Sequence, residues 1–235
     1  MPNKQGLFIT LEGCDGTGKS TLVQALKLYF EFSGEDVVLC REPGSSLGGQ
    51  QIREMLFTDH PGPGTAKMLA GQADCLLLYD HIGVSMGLVK PALERGKVVI
   101  CDRYADSQFA YAVAKPTSKA LNEAYVKHFG PVPDVTFLLI GDVKVFGARA
   151  KSRDLNPNAL EPGKQQRKIW TQDEQQQKIQ NAYLVNLSNQ PRTIILNIDG
   201  LDARDVAHLA IESLKLRFAN GHVPAIQAPL FASVQ

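Results

Sequence analysis

The chain has 235 residues, a formal net charge of +1 and 44% hydrophobic residues. That length admits one large α/β domain or two small ones with a sizeable core, and the balanced charge excludes a broad basic field for nucleic acid or an anionic membrane. Four scattered cysteines (Cys14, Cys40, Cys75, Cys101) form no C-x-x-C pair, which argues against a disulfide framework or a zinc site. Met1–Gly6 carries no apolar signal region and no apolar run approaches membrane-spanning length, so a soluble cytoplasmic protein with no membrane and no nucleic-acid partner is expected.

Leu7-Phe8-Ile9-Thr10-Leu11 reads as a buried strand. It leads into Gly13-Cys14-Asp15-Gly16-Thr17-Gly18-Lys19-Ser20, and a helical pattern follows from Thr21 to Phe32. Strand, glycine turn and helix are the setting in which G-x-x-x-x-G-K-[ST] means phosphate binding. Gly13, Gly16 and Gly18 let the backbone curl with its N–H groups inward, and the positive end of the helix adds to that field. Lys19 is placed to reach the outer phosphates as a point charge, and the Ser20 hydroxyl to ligate Mg²⁺. A nucleoside triphosphate is the expected ligand.

Gly34 stops the first helix, and Asp36–Cys40 reads as a second strand. Arg41–Ser46 is a loop, Gly48–Phe57 a helix, and Thr58–Gly64, with two prolines and two glycines, another loop. Ala66–Ser85 is a long helical stretch that Leu88–Arg95 continues towards Gly96. Lys97–Cys101 is a third strand ending in Asp102-Arg103-Tyr104. Leu121–Phe129 reads as helix, and the Gly130–Asp134 break precedes a fourth strand, Val135–Ile140. Helix returns over Val143–Ser152, and Arg153–Lys168 is a polar, aperiodic flap. Gln172–Leu187 is a helix, Arg192–Ile198 the fifth strand, and Ala203–Phe218 the last helix; residues 221–235 show no clear element. Strands alternating with helices imply right-handed crossovers and a parallel sheet covered on both faces. The expectation is a single α/β domain over 1–235: a P-loop NTPase three-layer fold with a five-stranded parallel sheet, a flexible lid at about 150–170 and an irregular tail at 220–235.

Further charged residues narrow the chemistry. Asp102 and Arg103 stand at a strand's carboxyl end, where open α/β sheets bind ligands. Arg103 can fork onto phosphate and Asp102 can hold Mg²⁺ through water. Arg41 and Arg53 flank a second strand end and offer cations to a second phosphate-bearing substrate. Arg149 and Arg153 lie four apart on one helical face; alone they read as a solvated face, but beside two phosphate sites they suit the spreading charge of phosphoryl transfer.

Together these pieces resemble the thymidylate kinase family. The resemblance rests on Phe8-Ile9-Thr10-Leu11-Glu12-Gly13 through Lys19-Ser20-Thr21, on Arg41-Glu42-Pro43-Gly44 with Ile52-Arg53, and on Val89-Lys90-Pro91-Ala92-Leu93-Glu94-Arg95-Gly96. It continues through Asp102-Arg103-Tyr104-Ala105-Asp106-Ser107-Gln108-Phe109-Ala110-Tyr111, Pro133-Asp134-Val135-Thr136, and Arg149 with Arg153, covering roughly residues 6 to 200 in the family's order. It implies transfer of the γ-phosphoryl of ATP, with Mg²⁺, to a pyrimidine deoxynucleoside monophosphate, dTMP above all, by a homodimer. Under it, the loop Gly13, Cys14, Asp15, Gly16, Thr17, Gly18, Lys19, Ser20 and Thr21 holds ATP, with Ser20 and Asp102 on the metal. Asp15 contacts the sugar or orders the loop. Arg41, Arg53 and Arg103, with Glu42, Pro43, Ser107 and Tyr111, take the acceptor. Arg149 and Arg153 close on ATP, and Thr17, where one branch of the family has arginine, favours the bacterial-type arrangement in which the flap supplies the catalytic cation. No general base is required, because a monophosphate oxygen is already an anionic nucleophile.

Base-reading positions depart from the pattern. Leu77 replaces a stacking phenylalanine and His81 a hydrogen-bonding arginine; Asp80 matches, Ala112 stands for a glutamine and Ile140 for an aspartate. Either Tyr79 or Phe109 supplies the stack and His81 the hydrogen bond, or the acceptor differs, as in a 5-modified dUMP or another deoxynucleoside monophosphate. The rival outside enzymology is a non-catalytic nucleotide-binding regulator, which would be expected to lose one of Lys19, Asp102, Arg103, Arg149 or Arg153; all are present. His60, His128, His208 and His222 lack metal-ligand spacing, Trp170 reads as a packing anchor, and Gln175-Gln176-Gln177 as a solvated helix face.

Overall fold

Runs of β-branched and apolar residues form five strands: β1 (Leu7–Gly13), β2 (Val37–Arg41), β3 (Val98–Asp102), β4 (Val135–Ile140) and β5 (Thr193–Asn197). In the computed structural model, which describes residues 6–57, 68, 70–113, 130–155 and 173–219, they make one sheet in the order β2-β3-β1-β4-β5. Every pairing is parallel. A parallel sheet needs cover on both faces, which is why β1, β3 and β4 are apolar almost throughout.

The helices are α1 (Lys19–Phe32), α2 (Gly49–Phe57), α3 (Ala70–Val84), α4 (Lys90–Glu94), α5 (Ala105–Val113), α6 (Val143–Leu155), α7 (Asp173–Leu187) and α8 (Ala203–Arg217). Strand alternation sorts the core into two sides. Ile9 and Leu11 of β1, with Ile100 of β3, pack with Leu22, Leu26 and Phe30 of α1 and with Ala207, Ile211 and Leu214 of α8. Phe8, Val99 and Cys101 join Val84, Val89, Ala92 and Tyr104 on the other side. Glu12 shares its side with Phe8 and Thr10 and meets α5 and α7. Asp202 caps α8 by accepting from the Arg204 and Asp205 N–H groups, and Asp205 returns the contact to the Asp202 N–H.

Several boundaries differ from the sequence reading. β1 runs on to Gly13 and α1 starts at Lys19, because the glycine loop is shorter than its motif and Gly18, left-handed at φ 85°, turns the chain straight into the helix. α3 and α4 are joined by a π turn, Ser85–Val89, in which the Lys90 N–H donates to the Ser85 carbonyl. α5 has no counterpart in the sequence reading. α6 continues through Leu155, three residues into the expected flap, so Arg153 is helical. Gln176 is fully buried rather than solvated, since α7 packs against the glycine loop and the Gln176 carbonyl accepts from Cys14 Sγ at 3.3 Å. The expected loop over 58–64, the helix over 121–129, the lid beyond 155, Trp170, His60, His128, His222 and the tail lie outside the described residues. Among the described residues no helix is long and apolar enough to cross a membrane.

Candidate active site

The carboxyl ends of β1, β2 and β3 lie side by side. Leu11 pairs with Asp102, and Arg41 pairs with Asp102 from the other flank; the Glu42 N–H then donates to the Asp102 carbonyl at 3.1 Å. Everything projecting from these ends therefore faces one crevice.

The glycine loop leaves β1 with Gly13 at φ 137° and Gly16 at φ 88°. A β-carbon at Gly13 would sit 2.5 Å from the Leu139 carbonyl oxygen, and one at Gly16 would sit 2.1 Å from that of Phe146. At Gly18 a β-carbon would meet nothing within 4 Å. The loop is thus pressed against β4 and α6 on one side and open at the entry to α1, whose first N–H groups have no intrahelical partner. That is a cradle for an anion, and it fits a triphosphate. Lys19 Nζ lies in the loop and donates to the Cys14 carbonyl (2.6 Å), the Gly13 carbonyl (3.1 Å) and Thr17 Oγ1 (3.3 Å). Burial lowers its ammonium to about 8, with Arg103 adding to the shift and Asp102 and Asp15 opposing it. Thr17 Oγ1 donates to the Cys14 carbonyl at 3.0 Å. Burial pushes the Cys14 thiol up to about 11, so it is a packed thiol and not a nucleophile. The Ser20 hydroxyl donates to Asp102 Oδ2 at 2.7 Å, which brings the two expected metal ligands together; a hydroxyl beside a carboxylate suits a hard divalent cation. Among the described residues no group of three or more His, Cys, Asp or Glu side chains could hold a metal alone, and Mg²⁺ ordinarily relies on one or two protein ligands plus substrate phosphates.

Arg103 occupies the centre. It is the one non-glycine described residue with a left-handed backbone, φ 71°, and such strain concentrates at functional sites. Its Nη1 donates to the Gly13 carbonyl (2.9 Å), Tyr183 Oη (3.0 Å) and Ser107 Oγ (3.2 Å), while Nη2 donates to Asp15 Oδ1 at 2.8 Å. The guanidinium carbon stands 5.1 Å from the centre of the Tyr111 ring. Asp15, Arg103, Ser107 and Tyr111 thus meet as one unit.

A second unit surrounds the β2–α2 loop. A methyl group at Gly44 would lie 3.2 Å from Arg41 Nε and 3.5 Å from Arg53 Cδ, so both arginines wrap this glycine. Arg53 Nη1 donates to the Pro43 carbonyl (2.9 Å) and its guanidinium covers Phe57. Asp80 ties the loop down, accepting from the Gly44 N–H (2.9 Å) and the Ser46 hydroxyl (2.5 Å). Glu42 precedes a cis proline, Pro43. Its carboxylate lies 2.9 Å from Nδ1 of His81, which is itself 0% exposed. The other ring nitrogen, Nε2, is 3.4 Å from Ser85 Oγ, and that hydroxyl is 2.7 Å from Tyr104 Oη. His81 is therefore enclosed in a polar chain with Glu42. Burial raises the Glu42 carboxyl and His81 opposes the shift.

Leu77 is half-buried, and its carbonyl accepts from Gln108 Nε2 at 3.5 Å. Tyr79 is 58% exposed, and Phe109 is half-buried. Arg149 stands exposed on α6, with Arg153 one turn further along the same helix. Sequence reasoning missed Glu12, Gln108, Asp106 and Tyr183 as members of this region. Strand parity could have flagged Glu12, an acid on a face that a parallel sheet buries; Asp106 and Gln108 lie inside the Asp102–Tyr111 motif but have no role in the sequence reading, and Tyr183 carries no local signal.

A family model described as thymidylate kinase matches residues 11–202. The chain belongs to the thymidylate kinase family. It is 34% identical over 157 residues to thymidylate kinase of Acinetobacter baylyi, covering 63% of this chain and 72% of that protein. To the Halothermothrix orenii thymidylate kinase it is 38% identical over 165 residues, covering 67% and 76%. The crystal structure of thymidylate kinase from Ehrlichia chaffeensis shares the fold with a TM-score of 0.64 at 23% identity, over 89% of this chain and 99% of that one. The family is one of nucleoside monophosphate kinases, and the five-stranded parallel sheet flanked by helices is the fold shared with that solved thymidylate kinase.

Proposed function

We propose that the protein transfers the γ-phosphoryl group of ATP to dTMP, giving ADP and dTDP, and works as a single P-loop kinase domain. The observation that carries this reading is Arg103, bonded at once to the glycine loop through the Gly13 carbonyl and to Asp15. One cation spans the donor cradle and the acceptor's place. The loop Gly13–Gly18, Lys19 and Thr21 hold the triphosphate, and Arg41, Arg53 and Arg103 take the acceptor's phosphate. An oxygen of that phosphate attacks the γ-phosphorus; one P–O bond forms as the bond to ADP breaks, and no proton needs to be removed. Ser20 and Asp102 would hold Mg²⁺, which supplies charge neutralisation. Arg149 and Arg153 add cations from α6. Positioning and charge neutralisation account for the catalysis.

The base choice is supported by Gln108. Its Nε2 faces two acceptors, the Leu77 carbonyl and the Glu42 carboxylate, which fixes the amide's orientation. Its Oε1 is buried with no hydrogen-bond partner among the described residues. A buried lone acceptor suits the N3–H of thymine or uracil and disfavours cytosine, whose N3 is itself an acceptor. Leu77 and Tyr111 then flank the base, while His81 serves by anchoring Glu42. As the resemblance implies, the working unit is a cytoplasmic homodimer; sedimentation as a monomer at high concentration would contradict the dimer. The test of function is an ADP-release assay with ATP and Mg²⁺ against dTMP, dUMP, 5-hydroxymethyl-dUMP, dCMP, dGMP and dAMP. The highest kcat/KM is expected for dTMP; preference for dCMP or a purine nucleotide would overturn the reading.

A further inference from the structure

Glu12 makes none of the phosphate contacts above, yet it is 0% exposed. Its Oε1 accepts the Tyr104 N–H at 2.8 Å. Its Oε2 lies 2.5 Å from Ser107 Oγ and 3.1 Å from Tyr183 Oη, and those two hydroxyls are 2.7 Å apart. Three oxygens therefore form a closed triangle, and Arg103 Nη1 donates to both hydroxyls from outside it.

Counting hydrogens assigns the charge state. Ser107 and Tyr183 bring one hydroxyl hydrogen each. With Glu12 ionised, two hydrogens serve three edges, and one edge is an oxygen–oxygen contact with nothing between. A third hydrogen on Oε2 completes the ring: Glu12 donates to Ser107, Ser107 to Tyr183, and Tyr183 back to Glu12. Oε1 is not free to carry that proton, because it already accepts from Tyr104.

We propose that Glu12 is a positioning residue held as the neutral acid, whose proton closes this ring and so fixes Arg103 against Asp15 and the Gly13 carbonyl with its charge left for the acceptor's phosphate. The proposal rests on the reading of Arg103 as a phosphate ligand. The surroundings agree with it. Burial and Asp106 push the Glu12 carboxyl up to about 8, against the opposing pull of Ser107, Arg103 and the Tyr104 N–H. The groups that face it are Asp106 of α5, itself paired with Arg192 at 2.9 Å and bonded to Asn186, Tyr183 of α7, Arg103 and Tyr104 of the β3–α5 turn, and, across Arg103, Asp15 and Tyr111. An ionised Glu12 would compete with the acceptor for Arg103.

The test combines kinetics with infrared spectroscopy on the full-length enzyme. At saturating ATP the wild-type KM for dTMP is expected to rise up to roughly tenfold between about pH 8 and pH 9.5. Glu12→Gln is uncharged at every pH; its amide oxygen can still accept the Tyr104 N–H while its NH2 donates to Ser107 Oγ and Tyr183 Oη. It is therefore expected to hold KM at the wild-type neutral value across that range, while Glu12→Ala raises it at every pH. Lys19 is lowered to about 8 only in the unliganded chain; at saturating ATP the bound phosphates favour its charged form, and any remaining effect is common to wild type and the Gln variant. In difference spectra the carbonyl stretch of an undissociated carboxylic acid is expected in wild type at pH 7, absent from Glu12→Gln and lost in wild type at pH 9.5. Should Glu12→Gln not fold, Ser107→Ala removes the hydrogen-bond partner at 2.5 Å and is expected to shift that band. No acid carbonyl at pH 7, a band unmoved by Ser107→Ala, or identical KM profiles for wild type and Glu12→Gln would overturn the proposal. The infrared readout needs no turnover, so it judges Glu12 even if dTMP proves not to be the acceptor.

Discussion

The Arg103 guanidinium donates to Asp15 at 2.8 Å, with side chains only 13% and 9% exposed, and so joins the end of β3 to the loop that leaves β1. A pair this enclosed is costly to break from one side, because the surviving charge stays buried without its partner. It also keeps a guanidinium fork beside the glycine loop.

Arg103→Ala is expected to lower kcat/KM for dTMP by about 10²–10³-fold, in line with removal of one preorganised charge stabiliser. Arg103→Lys keeps the charge and loses the fork, so it is expected to fall between the two, mainly through acceptor KM. Steady-state kinetics with either substrate varied separates the effects. Equal activity of wild type and Arg103→Ala would remove Arg103 from the mechanism.

Gly16→Ala places a methyl group 2.1 Å from the Phe146 carbonyl oxygen at a backbone angle of φ 88°. Both the clash and the strain act on the cradle, so nucleotide binding is expected to fall at least tenfold together with a lower Tm. Calorimetric titration with ATP and thermal unfolding measure the two. An unchanged Kd would show that the loop is not the triphosphate site.

Lys19 titrates at about 8 without ligand. Bound phosphates favour its charged form, so ATP binding at pH 8.5 is expected to take up a proton, up to about one per site. Titration in buffers of different ionisation enthalpy reads that uptake, and none should be seen at pH 6.5. In the unliganded protein the linkage has a fixed sign. The folded pKa lies below the ordinary 10.5, so the unfolded chain binds more protons between about 8 and 10.5, and this residue's contribution to stability grows with rising pH across that window.

Glu12 has the opposite sign. Its folded pKa of about 8 lies above the ordinary 4.5, so its contribution to stability is complete below pH 4.5 and is lost as pH rises to about 8. Glu12→Gln removes this dependence. Relative to wild type, the variant is expected to gain about 2–3 kcal/mol between pH 5 and pH 7, read from urea unfolding at the two pH values. A constant difference would contradict the shift.

Much of this was legible in the sequence because it is written locally. Continuous apolar runs mark parallel strands, and a glycine motif between strand and helix needs no distant partner to be recognised. α5 was missed because Ala105–Val113 follows β3 after a two-residue turn and its apolar residues make no clean stripe. The burial of Gln176 depends on α7 docking on the glycine loop, which no local pattern records. Glu12 meets Ser107 from 95 residues away and Tyr183 from 171, so its ring exists only in the folded chain. His81 stands at the position expected of a base ligand, but its Nδ1 is spent on Glu42, a contact between α3 and the β2–α2 loop that spacing alone does not reveal.

Phosphoryl transfer itself is tested most directly by phosphorus NMR of one mixture of protein, ATP, Mg²⁺ and dTMP. ADP and dTDP are expected to appear in equal amounts, at the same rate, with no inorganic phosphate. ADP forming with inorganic phosphate while dTMP stays unchanged, or no reaction at all, would contradict the assignment of the crevice between Lys19, Arg103 and Arg53 to a thymidylate-phosphorylating enzyme.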